Sequence, residues 1–159
     1  MAMTITPTGL NGAGVLDLIA AHTAFCTATS PRESCHFLDA SGLDSPDVTL
    51  WAAREGGDLL GIAALKRLPD EAGEIKSMHT AAPARGRGVA DALLTQIETS
   101  ARARHYTSLW LETGSMDQFA PARALYERHG FEPCAPFGDY KPDPNSAFYS
   151  KQLTAQEAS

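Results

Sequence analysis

The sequence lacks any apolar run long enough to cross a membrane. Its longest apolar stretches, residues 15–21 and 59–65, are far shorter than the ~18 residues that a membrane helix needs. The stretch from Met1 to Leu10 carries no basic residue and no apolar segment, so we expect no secretory signal. These absences favour a cytoplasmic protein without membrane contact.

Cysteine and metal-ligand patterns are also scarce. The three cysteines, Cys26, Cys35 and Cys134, form no Cys-x-x-Cys pair. An odd number of cysteines without that spacing favours reduced thiols over a disulfide framework or a zinc ribbon. The five histidines show no spacing typical of a metal site, so we expect no metal.

Positive charge is in deficit. The chain of 159 residues has 13 Lys and Arg against 19 Asp and Glu, a net charge of −6. Such a chain is a poor candidate for binding nucleic acid, and any phosphate site must be a local basic spot. The length and the 43% of hydrophobic residues predict one folded domain over 1–159, in which 155–159 form a frayed tail.

Hydrophobic periodicity predicts alternating strands and helices. This order indicates a mixed sheet with helices packed on its faces, in the α/β (α+β) class. The predicted strands are 3–8, 48–54, 59–68, 74–80, 108–112, 131–137 and 146–153, with a turn at 56–58, and the predicted helices are 11–28, 89–104 and about 121–129.

The local basic spot is the segment Arg85-Gly86-Arg87-Gly88-Val89-Ala90, between a predicted strand and a predicted helix. Its glycines let the backbone approach a ligand, and the following helix adds unpaired N–H groups and a positive dipole end. This combination predicts an anion-binding loop; the alternative is a plain turn with two surface arginines. A P-loop does not fit, because no Lys-Ser or Lys-Thr follows the glycine, and a dinucleotide fingerprint does not fit, because Asp91 stands where its third glycine would fall.

Two motifs resemble one known family. Arg85-x-x-Gly88-x-Ala90 is similar to the (Gln/Arg)-x-x-Gly-x-(Gly/Ala) signature of the GNAT superfamily of N-acetyltransferases, and the segment from Ala122 to Phe131 resembles its A-x-x-L-Y-x-x-x-G-F motif. The predicted order of elements matches as well. The resemblance implies a mostly antiparallel mixed sheet of about seven strands, with helices on both faces and a splayed pair of parallel strands.

The resemblance also implies acetyl-CoA as co-substrate. The loop amides would hold its pyrophosphate, and the pantetheine arm would lie between strands 75–80 and 108–113 against backbone groups of Met78 and Thr80. The residues expected to bind the cofactor are Met78, His79, Thr80, Arg85, Gly86, Arg87, Gly88, Val89 and Ala90.

Three residues are candidates for catalysis. By its place in the second motif, Tyr126 would protonate the leaving sulfur; its alternative is an aromatic packed on the sheet. Glu74 precedes the first motif at a spacing that resembles the family's general-base glutamate; its alternative is a solvated strand end. Glu112 is the rival, as base, anchor of the substrate ammonium or structural partner of an arginine.

The acceptor side is less defined. Glu112, His36, Asp139 and Tyr140 are the candidates for binding a small primary amine or an amino-acid-like molecule. The alternatives are a non-catalytic acyl-CoA sensor and an enzyme that acetylates a protein N-terminus or lysine. No base is evident beside Cys134, which favours direct transfer in a ternary complex over a ping-pong route. Family members are often dimers, which leaves a homodimer as an option here.

The sequence departs from the family pattern at one position. Many members carry an asparagine seven residues before the tyrosine, where this chain has Phe119. A side-chain amide contact to the pantetheine or the sulfur is therefore not expected from this position.

Overall fold

A computed structural model describes residues 3–29, 46–115, 117–138, 140, 142–144 and 146–153. The strands are β1 (Thr4–Thr8), β2 (Val48–Glu55), β3 (Asp58–Leu68), β4 (Ala72–Thr80), β5 (Ser108–Gly114), β6 (Glu132–Pro133) and β7 (Ser146–Gln152). The helices are α1 (Val15–Thr29), α2 (Val89–Ala103) and α3 (Ala120–Arg128). None of the described helices is both long and apolar enough to cross a membrane.

The seven described strands form one mixed sheet in the order β1-β2-β3-β4-β5-β7-β6. Only β4 and β5 are parallel; every other neighbouring pair is antiparallel. The predicted mostly antiparallel sheet, the order of its elements and the parallel β4/β5 pair are confirmed.

Helices cover both faces of the sheet. Val15, Leu18 and Ile19 of α1 pack on Leu50, Ile62 and Ala64 of β2 and β3. On the other face, the buried stripe of α2 packs on alternate residues of the same strands, Trp51, Ala53, Ala63 and Leu65. Because helices cover both faces of β3, its odd-numbered and even-numbered residues are both apolar.

Several element boundaries differ from the sequence prediction. Helix α1 begins at Val15 rather than at residue 11, because 11–14 form turns and Gly14 has a φ of 79°. The hairpin turn is Gly56-Gly57 alone, with φ of 59° and 92°, and Asp58 already pairs with Glu55. Positive φ at both central residues is the two-residue geometry that fits the twist of a hairpin.

The strand predicted over 131–137 is wrong in length. The structure keeps only β6, Glu132–Pro133, at the sheet edge. After it, the Cys134 N–H still donates to the Phe148 carbonyl at 2.9 Å. Pro136 then has no N–H to give, which stops the ladder.

The end of α3 fixes the position of Tyr126. Gly130 takes a left-handed φ of 88° and its N–H donates to the Glu127 carbonyl at 3.1 Å. The Phe131 N–H donates to the Tyr126 carbonyl at 3.0 Å, and the two rings lie 5.9 Å apart. This pair of hydrogen bonds is a Schellman motif, as the glycine after the helix predicts.

Candidate active site

The parallel strands β4 and β5 separate halfway along their length. They pair only from Ala72↔Ser108 to Ile75↔Leu111. Beyond this point a cavity of about 660 Å³ opens between them, lined by 74–80 of β4, by 112–114 of β5 and by parts of α3 and the 84–91 segment. The predicted splay is confirmed, and the facing edge of β4 has no strand partner among the described residues.

One end of the cavity is made of backbone. Gly86 and Gly88 have φ of 80° and 79°, and nothing lies within 4 Å of where their Cβ atoms would stand. Gly88 precedes the first turn of α2 and provides no side-chain cap. The first N–H groups of a helix have no partner within the helix, so they point toward this open space with the positive end of the dipole. We call 85–90 the donor loop.

The structure places eight of the nine predicted cofactor-binding residues in the cavity wall. They are Met78, His79, Thr80, Arg85, Gly86, Gly88, Val89 and Ala90. The exception is Arg87, whose guanidinium turns away and donates to Glu55 Oε1 at 2.6 Å. Its charge is therefore already paired.

β4 carries a bulge where it lines the cavity. Its register against β3 shifts after Lys76, and Ser77 takes a positive φ of 56°. The buried Ser77 hydroxyl has no hydrogen-bond partner among the described residues. Bulges re-aim the backbone next to functional sites, and this one lies where the strand leaves β5.

His79 forms a pair with His22 of α1, which the sequence analysis missed. The two Nδ1 atoms lie 3.3 Å apart and the rings make an edge contact at 5.1 Å between centroids. Burial and the neighbouring imidazole lower the pKa of His22 to about 4, and burial also lowers the pKa of His79. Both rings are therefore neutral at pH 7. No group of three or more His, Cys, Asp and Glu converges among the described side chains.

The other end of the cavity is made of charged side chains. Glu74 is only 5% exposed, so the solvated strand-end alternative is wrong. Its Oε2 accepts a hydrogen bond from the Tyr140 hydroxyl at 2.6 Å and one from Lys76 Nζ at 3.1 Å. Lys76 Nζ also donates to the Tyr140 hydroxyl oxygen at 2.9 Å. We call Glu74, Lys76 and Tyr140 the acceptor-end triad.

Glu112 lies in the same wall. Burial raises the pKa of its carboxyl to about 8, and the charges of Glu74 and Asp143 act in the same direction. The Ser146 hydroxyl and the Lys76 ammonium lower it, but burial is the larger effect. A carboxyl with this pKa exchanges its proton near neutral pH, as a general base requires.

Tyr126 reaches the cavity from α3. The residue is 5% exposed, and burial, together with the charge of Glu112, raises the pKa of its hydroxyl well above the usual 10. Tyr126 therefore keeps its proton throughout the physiological range. Phe119, which stands where many family members carry an asparagine, also lines the cavity, and its ring occupies the space where a Cβ on Gly114 would stand.

Two predicted substrate residues, His36 and Asp139, lie outside the described residues. The structure does bring Tyr140 against Glu74, although 66 positions separate them in the sequence. Sequence reasoning missed Lys76, yet a signal existed, because residues two apart on a strand share a face. The aromatic support behind Tyr140 gave no such signal: Phe137 and Phe148 contact its ring at 5.0 and 5.5 Å between centroids.

Comparison with known proteins decides the family. The model of the acetyltransferase (GNAT) family matches residues 17–131. The chain belongs to the GNAT family of acetyltransferases. It is 48% identical over 144 residues to the uncharacterized N-acetyltransferase YsnE of Bacillus subtilis (strain 168), covering 91% of this chain and 95% of that protein.

Two further matches extend the comparison. The IAA acetyltransferase of Azospirillum brasilense is 41% identical over 125 residues, covering 77% of this chain and 80% of that protein. A crystal structure from Klebsiella pneumoniae subsp. pneumoniae has a TM-score of 0.78 at 31% identity and covers 96% of this chain and 98% of that one. The expectations of a GNAT fold and of an N-acetyltransferase are therefore confirmed.

Proposed function

We propose that this GNAT protein transfers the acetyl group of acetyl-CoA to a primary amine of a small or amino-acid-like molecule, directly, in a ternary complex. One observation carries the proposal: a single cavity is lined by the donor loop, by the acceptor-end triad, by Glu112 and by Tyr126. The name of the Azospirillum relative specifies IAA as what it acetylates, which supports a small acceptor here.

The donor end fits coenzyme A. The left-handed glycines leave room for the pyrophosphate beside the N–H groups of the first turn of α2. The unpartnered edge of β4, including Met78 and Thr80, offers backbone groups to an extended pantetheine arm. When bound, acetyl-CoA supplies the acetyl group as an activated thioester.

Glu112 is the proposed proton acceptor. An amine attacks only as the neutral form, so its ammonium must lose a proton inside the site. The Glu112 carboxyl, with a pKa of about 8, is poised for that exchange near neutral pH. The Glu74 carboxylate is instead held by Lys76 and Tyr140. We therefore assign Glu74 a positioning role at the acceptor end.

Tyr126 is the proposed proton donor to the leaving sulfur. Once Glu112 has taken the ammonium proton, the attacking nitrogen loses a second proton as the amide forms, and this proton replaces the one that Tyr126 gives up when the C–S bond breaks. Its hydroxyl is protonated at every physiological pH, because its pKa is raised by burial. It lines the same cavity as the donor loop and Glu112. The Cys134 side chain does not line this cavity, and burial raises the pKa of its thiol, which supports direct transfer over an acyl-cysteine route.

The test is release of the free CoA thiol from acetyl-CoA by the purified protein, with panels of alkylamines, amino acids and peptides. We expect release with small amines and a loss of release in Tyr126→Phe. Tyr106→Phe is the matched control, because it also removes one tyrosine hydroxyl, but from a partly buried residue that does not line the cavity. Binding of acetyl-CoA without release for any amine would favour an acyl-CoA sensor, and release with peptides alone would favour a protein acceptor.

A further inference from the structure

Lys76 has one hydrogen-bond donor more than its neighbours use. Its Nζ donates to Glu74 Oε2 at 3.1 Å and to the Tyr140 hydroxyl oxygen at 2.9 Å. An ammonium group carries three N–H donors and no acceptor. The side chain is 9% exposed and lies in the cavity wall. Among the described residues, Glu74 and Tyr140 are the two acceptors of its hydrogen bonds, which leaves the third N–H without one. A buried donor left unpaired is costly, so its place beside a cavity indicates a ligand group that accepts from it.

The register of the sheet shows where this donor lies. Glu74 is aligned with Trp110 and Ile75 with Leu111 in the parallel ladder. The next positions on the two diverging strands are Lys76 and Glu112. Because alternate residues of a strand share a face, these two side chains stand on the same face, on opposite sides of the gap. A molecule bound there meets a cationic donor on one side and a carboxyl on the other.

The triad keeps Lys76 in place. Tyr140 and Glu74 bind each other as well as Lys76, so the ammonium is fixed at two points, and its Nζ also lies 5.5 Å from the Tyr140 ring centroid. A donor held in this way loses little conformational freedom when it binds an anion. Its hydrogen bond to a carboxylate is charge-assisted, which makes it stronger than one between neutral groups.

We propose that Lys76 binds a carboxylate of the acceptor, so that the acceptor is an amino-acid-like zwitterion rather than a simple amine or a polyamine. Its amine then faces Glu112 and its carboxylate faces Lys76. This inference rests on the proposed function, because it names the substrate class of the same site.

Binding of N-acetylated products separates anion recognition from catalysis. An N-acetyl amino acid carries the carboxylate but no ammonium, and its carboxamide carries neither charge. We expect the protein saturated with CoA to bind N-acetyl amino acids at least about tenfold more tightly than the matching carboxamides, measured by calorimetry over aliphatic and aromatic side chains. Equal affinities for the acid and the amide in wild type would overturn the proposal.

Variants assign the preference to one residue. Lys76→Met keeps an unbranched side chain of nearly the same length without the ammonium and is expected to lose the preference for the acid. Lys66→Met removes a charge from the neighbouring strand, outside the cavity, and is expected to keep that preference. Lys76→Arg keeps a cationic donor and is expected to retain a preference even if the methionine variant folds poorly. A preference that survives in Lys76→Met, or an equal loss for acid and amide, contradicts the proposal.

Thiol release distinguishes failure of the carboxylate site from failure of the proposed acetyl transfer. If alkylamines support release as well as amino acids do, the carboxylate site is wrong and the proposed N-acetyltransfer stands. If no amine supports release but N-acetyl amino acids still bind in preference to their amides, the anion site stands and the proposed reaction fails.

Discussion

The two ends of the cavity are built from different materials. The donor loop uses backbone: two left-handed glycines and the start of α2, all contiguous in the sequence. The acceptor end uses side chains from three distant segments, Glu74 with Lys76, Glu112 and Tyr140. The contrast separates a task that a short motif can perform from one that needs the whole fold.

The difference has a physical cause. Phosphate groups are recognised by N–H groups and a helix dipole, which every helix start offers once glycine clears the approach. Proton exchange with an amine needs a carboxyl in a dry site with tuned neighbours, and only tertiary packing supplies those. Function at the acceptor end should therefore be more sensitive to single side chains.

The largest effect is expected at Tyr126, which lines the same cavity as both ends. Tyr126→Phe removes the hydroxyl that we assign to the leaving sulfur, so we expect kcat to fall by about 10² or more. The affinity for CoA should stay within about twofold, since the donor loop is untouched. Thiol release and calorimetry measure the two quantities. A similar loss of CoA affinity would place Tyr126 at the donor end instead.

The next effect is the dependence of the free energy of unfolding on pH, to which Glu112 at the acceptor end contributes. The pKa of Glu112 is raised from 4.5 to about 8 in the folded state, so the folded protein holds this proton longer than the unfolded chain does. Its stabilising contribution is complete below pH 4.5 and is lost as the pH rises through 8. The free energy of unfolding should fall by up to about 1.4 kcal/mol per pH unit from this group.

Urea unfolding between pH 6.5 and 8.5 isolates this group from His22. The pKa of His22 is lowered to about 4, so His22 affects stability only between that value and 6.5. In Glu112→Gln the slope in the upper window should disappear. An unchanged slope would mean that Glu112 does not hold its proton in the folded state.

A smaller effect is expected at the donor end. Gly88→Ala forces a left-handed φ of 79° on a residue with a Cβ, at a cost of about 1–2 kcal/mol. We expect CoA to bind about 5- to 30-fold more weakly if the loop relaxes to avoid this strain. Gly57→Ala is the matched control: it has φ of 92° in the β2–β3 turn and open space around its Cβ.

Both glycine variants should lose similar stability, but Gly57→Ala should keep the affinity for CoA. Equal affinities for the two variants would show that the loop conformation at Gly88 has no part in binding the donor.

The smallest effect has the opposite sign. Glu55 pairs with Arg87 at 2.6 Å on the surface, and such exposed pairs contribute little to stability. Glu55→Gln should release Arg87 for the phosphates and tighten CoA binding about two- to threefold, less so at high salt. Calorimetry at two salt concentrations measures the change. Weaker binding would mean that the pair holds the loop in its working conformation.

Much of the fold could be predicted from local patterns. The spacing of Val89, Leu93, Ile97 and Ala101 predicts a helix with one buried face, and all four are buried. Apolar content alone predicts a strand over 131–137, but β6 covers only Glu132–Pro133, because Pro136 has no N–H with which to continue the hydrogen-bonded ladder. The absence of one backbone N–H sets the end of this strand, and the pattern of apolar residues contains no information about that N–H.

The site divides along the same line. The donor loop could be predicted because its residues are contiguous. The triad could not, because the bond between Tyr140 and Glu74 depends on how the segment before β7 folds over the sheet. The pKa of Glu112 depends on burial by several elements, and no spacing in the sequence encodes that burial.

The dependence of kcat on pH tests most directly whether Glu112 is the proton acceptor. With an acetyl acceptor whose own ammonium titrates near 10, kcat of the wild type should rise with a pKa of about 8. This rise of kcat with pH should disappear in Glu112→Gln and persist in Glu74→Gln, even if the Glu74 variant is slower. If the rise of kcat with pH persists in Glu112→Gln and disappears in Glu74→Gln, Glu74 is the base.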